Sequence, residues 1–282
     1  MSSTLVSAEQ LRAWPRQRPL VLVDCRFDLA DPGAGEHAYA RGHLPGALYA
    51  HLGRDLSGPV TARSGRHPLP DATELAHRLG RWGMGHDVQL VAYDAGNGAY
   101  AARLWWLVRW LGHNAAAVLD GGLHAWIAAG GDLVTEVPRP SARRFVARCD
   151  DTRWVDSTTV RATLCAARNV IIDARAPERY AGLVEPIDPV AGHVPGALSA
   201  PFAANLGADG RFLPPAALAA RYESLLAGRP ARDLIAMCGS GVTACHDLLA
   251  LEIAGLTGAR LYAGSWSEWI RDPSRPVARG YD

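Results

Sequence analysis

The fold class can be predicted from the segment Leu234-Ile235-Ala236-Met237-Cys238-Gly239-Ser240-Gly241-Val242-Thr243-Ala244. Its first four residues predict a buried strand, its glycines predict a tight turn, and Cys245–Ile253 has the pattern of a helix. A strand that passes through a short turn into a helix is the repeating element of α/β folds with parallel strands. In such folds the functional site lies at the carboxyl ends of the strands, which is where Cys238 falls.

Four segments of the first half of the chain recur in the second half in the same order. Val21–Arg26 recurs as Val170–Arg175, Gly42–Ala47 as Gly192–Ala197, Leu90–Asp94 as Leu234–Cys238, and Gly121–Trp126 as Gly264–Trp269. The offsets lie between 143 and 150 residues, so both order and spacing are nearly preserved. Four matches in register indicate a duplicated domain.

Each half alternates short apolar runs with segments of helical spacing. Strands are predicted at Val21–Asp24, Gln89–Tyr93, Ala117–Leu119, Val170–Asp173, Leu234–Met237 and Arg260–Tyr262, and helices at Ala72–Trp82, Tyr100–Leu111 and Leu123–Ala129. This alternation predicts an α/β fold in which each half is a parallel β-sheet with helices on both faces. Prolines near 138–140 discourage both helix and strand, so we expect domains at 1–137 and 153–282 joined by a linker at 138–152.

Composition excludes several classes of function. All 29 basic residues other than histidine are arginines, which rules out a Schiff-base lysine and a Walker-type phosphate loop. A net charge of +1 gives no electrostatic basis for binding nucleic acid or an anionic membrane. The five cysteines form no CxxC pair and no disulfide framework, so neither a metal nor a cofactor is predicted. With no signal peptide or membrane-spanning run, we expect a cytoplasmic protein.

The turn after the predicted strand suits thiol chemistry. Its backbone N–H groups converge on Cys238, and the positive end of the following helix favours a thiolate. The plainer alternative is a buried structural cysteine in a glycine-rich turn. The first half has Asp94 at the equivalent position, and a carboxylate cannot accept a sulfur atom, so only the second half keeps a nucleophile. Asp94 either caps the next helix or is itself a functional acid.

Three motifs resemble those of the rhodanese superfamily. Cys238–Ala244 resembles the active-site loop carried by 3-mercaptopyruvate sulfurtransferases, and the two Gly-His-x-Pro-Gly-Ala segments resemble a signature of each rhodanese domain. Gly264–Trp269 resembles the C-terminal signature of members with two domains. The resemblance implies two tandem rhodanese-like domains, of which the first is catalytically inactive.

The same resemblance implies a reaction and the residues that perform it. Cys238 would take a sulfane sulfur from a small anionic donor, hold it as a persulfide, and pass it to a thiol such as thioredoxin or to cyanide. Ser240 and Thr243 would bind the donor or the outer sulfur, unless they only complete the hydrogen bonds of the loop and cap the helix. The persulfide would lie in a cradle of backbone amides from Gly239, Gly241, Val242 and Ala244.

The donor is less well defined than the nucleophile. Arg179 matches the arginine that holds the anionic donor in the family, the alternative being a surface ion pair with Glu178 or a neighbour. Mercaptopyruvate enzymes have a second arginine nine residues later, where this chain has Asp188, as thiosulfate-type rhodaneses do. Those enzymes, however, have basic residues where this chain has Gly239 and Ser240. The main prediction is therefore 3-mercaptopyruvate, with a thiosulfate:cyanide sulfurtransferase as the alternative.

Other readings of the same residues are weaker. A cysteine-dependent phosphatase or arsenate reductase needs an arginine six residues after its cysteine, where this chain has Ala244. A binding module without catalysis would not need Cys238. We expect His43 and His193, which recur in the repeat, to be structural and Cys245 to lie in the core. Whether His67 assists proton transfer is left open.

Overall fold

The computed structural model describes residues 4–166 and 169–281 of the chain, which form two compact units. Unit 1 comprises residues up to Gly58, Leu69–Asp150 and Ala208–Phe212. Unit 2 comprises Pro59–Pro68, Asp151–Gly207 and Leu213 onward. The repeat seen in the sequence thus corresponds to two units, and each unit contains one short segment that belongs by sequence to the other half. Domain boundaries at 1–137 and 153–282 are kept as a proposal.

Unit 1 is a five-stranded parallel sheet with its helices. The strands are β1 (Leu5–Val6), β2 (Leu20–Asp24), β3 (Ala47–Tyr49), β4 (Gln89–Tyr93) and β5 (Ala116–Leu119). The helices are α1 (Ala8–Arg12), α2 (Ala34–Arg41), α3 (Leu52–Asp55), α4 (Ala72–Arg81), α5 (Ala101–Trp110) and α6 (Gly122–Ala128). The strand order is β1-β5-β4-β2-β3, and every described pair is parallel.

Unit 2 has the same architecture. Its strands are β6 (Trp154–Val155), β7 (Val170–Asp173), β8 (Leu198–Ser199), β9 (Leu234–Met237) and β10 (Arg260–Tyr262). Its helices are α7 (Ser157–Ala166), α8 (Pro177–Tyr180), α9 (Pro215–Leu226), α10 (Ala244–Ile253) and α11 (Ser265–Trp269). The order β6-β10-β9-β7-β8 repeats that of unit 1, so the prediction of two α/β domains with parallel sheets is confirmed.

Each sheet buries both of its faces. In β9 the side chains of Ile235 and Met237 pack with Trp266 and Trp269 of α11 in one core cluster. Leu234 and Ala236 alternate with them and are fully buried on the other face, where α10 contacts β9. A strand buried on both faces reads as a continuous apolar run, which is why its bounds were predictable from the sequence. The face covered by α10 is the one that positions the turn after Cys238.

The segment Pro59–Pro68 is held against unit 2 by backbone contacts. Gly65 leaves no room for a side chain, because a Cβ there would lie 2.5 Å from the carbonyl oxygen of Gly264. The next amide, of Arg66, donates a hydrogen bond to Oγ of Ser267 at 3.0 Å. These contacts place Arg66 and His67 in the same compact unit as Cys238. No helix among residues 4–166 and 169–281 combines the length and the apolar character needed to cross a membrane.

Candidate active site

Cys238 follows the last residue of β9 and is fixed through its backbone to the start of α11. Its amide donates to Oγ of Ser265 at 3.1 Å, and its carbonyl accepts from the amide of Trp266 at 3.0 Å. Oγ of Ser265 donates in turn to the carbonyl of Tyr262 at 2.8 Å. The Cys238 side of the turn is therefore rigid. The residue is only 2% exposed, so its sulfur is shielded from bulk water.

Gly241 is the position at which the turn needs a glycine. Its φ is +75°, in the left-handed region that residues with a Cβ rarely adopt. A Cβ at this position would also lie 2.3 Å from the carbonyl oxygen of Ala263, in the segment between β10 and α11. The backbone of the turn thus packs closely against that of Ala263, which leaves no space for a side chain at Gly241.

The amides of this turn are available to an anion. In the part of the chain that the structure describes, the amides of Gly239, Ser240, Val242 and Thr243 have no protein acceptor. Buried amides are almost always paired, so a run of such groups next to a thiol indicates that their partner is a ligand. The helix α10 begins at Ala244 and adds its positive end to the same place. The arrangement suits an anionic group bound within the turn.

The equivalent turn of unit 1 contains such an anion within its own chain. The carboxylate of Asp94 accepts hydrogen bonds from the amides of Gly96, Gly98, Tyr100 and Ala101, at 2.9–3.2 Å. Burial raises the pKa of Asp94, although these four amides act in the opposite direction. Asp94 thus fills its own turn and holds the start of α5. Of the two roles considered for Asp94, this geometry fits the cap of the following helix.

Ser240 is paired with His67. Oγ of Ser240 and Nδ1 of His67 are joined by a hydrogen bond of 2.8 Å, and both residues are buried. Ser240 is two residues from Cys238, so the imidazole lies next to the loop that contains the thiol. A hydroxyl and an imidazole in contact can hold or move a proton. His67, whose role in proton transfer the sequence left open, therefore lies at the candidate site.

Arg179 lies beside the loop within a network of carboxylates. Its Nε and Nη2 donate to Glu185, the shortest distance being 2.7 Å, and Nη2 also lies 3.3 Å from Asp188. Both of its terminal nitrogens are 3.7 Å from the point where a Cβ of Gly239 would stand. The ion-pair alternative considered from the sequence was Glu178 or a neighbour, and the partners that the structure describes are these two buried neighbouring carboxylates.

A second arginine reaches the same place from Pro59–Pro68. Arg66 forms an ion pair through Nη1 with Asp188, and its Nη2 lies 2.8 Å from the point where a Cβ of Gly239 would stand. Burial raises the pKa of Asp188, although Arg66 and Arg179 act to lower it. Sequence reasoning did not single out Arg66. The available signal was the aspartate at 188, since a carboxylate buried at a site for anions needs a nearby cation.

The remaining predicted residues occupy supporting positions. His43 and His193 each stack on a tyrosine ring at 3.8 Å and bond that tyrosine's carbonyl through Nδ1 at 2.8 Å, which fits a structural role. Cys245 is buried, with Sγ donating to the carbonyl of Gly241 at 3.3 Å. Thr243 is the residue before α10, but its side chain does not cap the helix. Among residues 4–166 and 169–281, no cluster of three His, Cys, Asp or Glu side chains could hold a metal ion.

Comparison with known proteins agrees with this geometry. The Rhodanese-like domain family matches the chain twice, at residues 7–129 and 158–272. A protein of Pseudomonas aeruginosa described as a probable 3-mercaptopyruvate sulfurtransferase is 52% identical over 281 residues, covering 99% of both chains. A thiosulfate sulfurtransferase of Cricetulus griseus is 31% identical over 99% of this chain and 95% of its own.

A solved structure extends the comparison to three dimensions. The crystal structure of SseA from Escherichia coli, described as a 3-mercaptopyruvate sulfotransferase, superposes with a TM-score of 0.79. The match has 29% sequence identity and covers 94% of this chain and 99% of that one. The duplicated sheet, the cysteine at the end of β9 and these matches lead to one conclusion: the chain belongs to the rhodanese-like family, with two copies of its domain.

Proposed function

We propose that this protein is a sulfurtransferase that moves a sulfane sulfur from 3-mercaptopyruvate to a thiol or cyanide through a persulfide on Cys238. The thiolate of Cys238 attacks the donor's sulfur, so that an S–S bond forms and the carbon–sulfur bond breaks. The electron pair leaves on the pyruvate enolate, which becomes pyruvate by taking up the proton of the donor's thiol. An acceptor thiolate, such as that of thioredoxin, or cyanide then attacks the outer sulfur, and the Cys238 thiolate leaves.

One observation carries this proposal: the thiol directly after β9 belongs to a turn in which the amides of Gly239, Ser240, Val242 and Thr243 have no acceptor within the described chain. The outer sulfur of a persulfide carries the negative charge that such amides stabilise. In our proposal Gly239, Gly241, Val242 and Ala244 form the cradle through their backbone, and Thr243 adds its hydroxyl. The Asp94 turn supports the idea, because there the same part of the fold already binds an anion.

Proton transfer is assigned to Ser240 and His67. The enolate of pyruvate needs a proton on carbon, and the hydrogen-bonded pair lies two residues from the nucleophile. In our proposal His67 relays the proton of the donor's thiol through Ser240, while Arg179 binds the donor's carboxylate.

Thiosulfate is the second candidate donor, favoured by Asp188, which stands where mercaptopyruvate enzymes have an arginine. Cys238 would attack the outer sulfur of thiosulfate and release sulfite. The ratio of kcat/KM for the two donors on one preparation decides between them. We also propose a cytoplasmic location, because the reaction needs Cys238 as a thiol, and neither it nor Cys25 is in a disulfide.

The experiment measures thiocyanate from each donor in the presence of cyanide, together with the mass of the protein after donor alone. Wild type should release thiocyanate and gain one sulfur atom, and Cys238→Ser should do neither. The matched control is Cys149→Ser, which removes an exposed thiol and should keep wild-type activity. Equal activity in Cys238→Ser, or an inactive wild type that behaves only as a binding module, would exclude the persulfide mechanism.

A further inference from the structure

Ser265 has a backbone conformation that residues with a side chain rarely adopt. Its φ is +52°, and within the described chain Ala227, with φ at +49°, is the one other residue besides the glycines with a positive φ. The left-handed region brings the Cβ too close to the following carbonyl oxygen, so a serine there is strained. Such strain persists only where the surrounding structure holds it in place, and it clusters at functional sites.

The hydroxyl of Ser265 connects the ends of two strands. It accepts a hydrogen bond from the amide of Cys238, directly after β9, at 3.1 Å. It donates to the carbonyl of Tyr262, the last residue of β10, at 2.8 Å. A hydroxyl has one proton to donate, so this second bond fixes the side from which Oγ accepts. Ser265 is fully buried, and its hydroxyl thus holds the amide of Cys238 in one orientation.

The matching position of unit 1 shows that the fold does not need the serine. Gly122 stands in the repeat where unit 2 has Ser265, and its φ is +54°. In both units the amide one residue later donates to the carbonyl of the first residue of the turn, at 2.9 Å in unit 1 and 3.0 Å in unit 2. The same backbone shape therefore forms with a glycine, which adopts a positive φ without strain.

The two turns differ in what happens to the amide of their first residue. In the part of the chain that the structure describes, the amide of Asp94 has no acceptor, whereas that of Cys238 has the Ser265 hydroxyl. Unit 1 has no room for such a side chain, because a Cβ at Gly122 would lie 2.6 Å from the carbonyl oxygen of Asp94. The strained serine and its hydrogen bond thus occur in the unit that has the thiol.

We propose that Ser265 is a positioning residue for sulfur transfer, which fixes the amide of Cys238 and with it the direction of the Cα–Cβ bond that carries the sulfur. This inference rests on the proposed function and deepens it. Sγ of Cys238 has to lie in line with the bond that breaks, as the attacking atom when sulfur is taken up and as the leaving atom when sulfur is released. Since a small misplacement of a reacting group slows a reaction steeply, losing the hydroxyl should slow both half-reactions.

Three variants separate the effect of the hydroxyl from that of the strain. Ser265→Gly removes the hydroxyl and relieves the positive φ, whereas Ser265→Ala removes the hydroxyl and keeps the Cβ. The matched control Ala227→Gly relieves nearly the same φ at the end of α9. Thiocyanate formation gives kcat and KM for mercaptopyruvate, while protein mass followed in time gives the rates of sulfur uptake from the donor and of release to dithiothreitol.

We expect kcat of both Ser265 variants to fall about tenfold or more, with KM within about twofold of wild type, because the hydroxyl acts through Cys238 and touches neither donor nor acceptor. Uptake and release should slow together, and Ala227→Gly should keep kcat within about twofold. Alkylation by iodoacetamide, followed on the peptide that contains Cys238, should keep the pH profile of wild type, because the variants change the orientation of the thiol and no charge.

A serine with only a structural role would give different results. Urea unfolding determines the fraction folded under assay conditions, rates are expressed per folded molecule, and Ser265→Ala decides where the glycine variant does not fold. A kcat per folded molecule within twofold of Ala227→Gly, a loss restricted to one half-reaction, or a rate that higher pH restores would each overturn the positioning role. An inactive wild type would refute the proposed function and this inference together, whereas an active wild type with an unaffected Ser265→Gly would refute the inference alone.

Discussion

Replacing Gly241 by alanine tests whether the shape of the cysteine turn controls the chemistry. The new Cβ would lie 2.3 Å from the carbonyl oxygen of Ala263, about 1 Å closer than ordinary contact allows. Neither atom is the end of a flexible side chain, so one of the two backbones has to move by about that distance. Misplacing a reacting group by about 1 Å can cost about a hundredfold in rate. We therefore expect kcat/KM of Gly241→Ala to fall by about a hundredfold.

The matched control is Gly255→Ala, at the other end of α10. Gly255 has nearly the same backbone conformation, with φ at +78°, but a Cβ there would have no heavy atom within 4 Å. In both variants the positive φ should cost about 1 kcal/mol of unfolding free energy, because alanine disfavours it, and in Gly241→Ala the clash adds to this cost. Only Gly241→Ala adds the backbone displacement, so only this variant should show the large fall in kcat/KM.

Two assays measure the effect. Initial rates of thiocyanate formation give kcat/KM for both variants, and urea unfolding gives their change in stability. Rates are compared well below the urea transition, so that unfolding does not contribute. If the activity of Gly241→Ala lay within about threefold of that of Gly255→Ala, the turn would tolerate the displacement, and its shape would not control the chemistry.

Three further predictions concern charged side chains. Arg179→Ala should lose at least about tenfold in kcat/KM, and values within twofold for both donors would contradict its role in binding the donor. Asp94→Ala should cost about 2–4 kcal/mol of unfolding free energy, because it leaves four amides without their carboxylate, and a loss under about 1 kcal/mol would contradict the capping role. Burial raises the pKa of Asp247 to about 7 from an ordinary 3.8, so the folded protein holds a proton that the unfolded chain releases between these pH values. The stability from that proton is lost as pH rises to about 7, so Asp247→Asn should gain about 4 kcal/mol relative to wild type over this range. Urea unfolding at several pH values measures this gain, and a constant difference between the two proteins would contradict it.

The parts of the fold that the sequence predicted are those with local signals. The strands β4, β7, β9 and β10 have the bounds predicted for them, because central parallel strands are continuous apolar runs ended by turns. The strands β1 and β6 have two residues each, too few to show any periodicity, and they were not predicted. Their position at the sheet edge depends on pairing with β5 and β10, which only the folded chain provides.

The candidate site likewise contains residues that local sequence predicts and residues that only long-range contacts bring together. Cys238 was predictable because strand, thiol and glycine turn are adjacent in the sequence. The pairing of His67 with Ser240 joins residues 173 positions apart, and the pairing of Arg66 with Asp188 joins residues 122 apart. These contacts depend on the placement of Pro59–Pro68 in unit 2. That placement involves a close backbone approach at Gly65, which no side-chain pattern in the sequence predicts. The aspartate at 188 indicated that a cation was needed but not where it would come from.

The two turns that begin at Asp94 and Cys238 together explain why one unit is suited to catalysis. In unit 1 the amides bind a carboxylate that is covalently part of the turn, so their stabilisation contributes only to folding. In unit 2 the first residue is a thiol, and in the proposed mechanism the corresponding amides stabilise charge on the sulfur that arrives and leaves. Leaving buried amides unpaired in the resting protein costs stability, whereas unit 1 avoids that cost. A sulfur-carrying turn should therefore be intrinsically less stable than its carboxylate-filled counterpart, and binding of the persulfide sulfur should recover part of the difference.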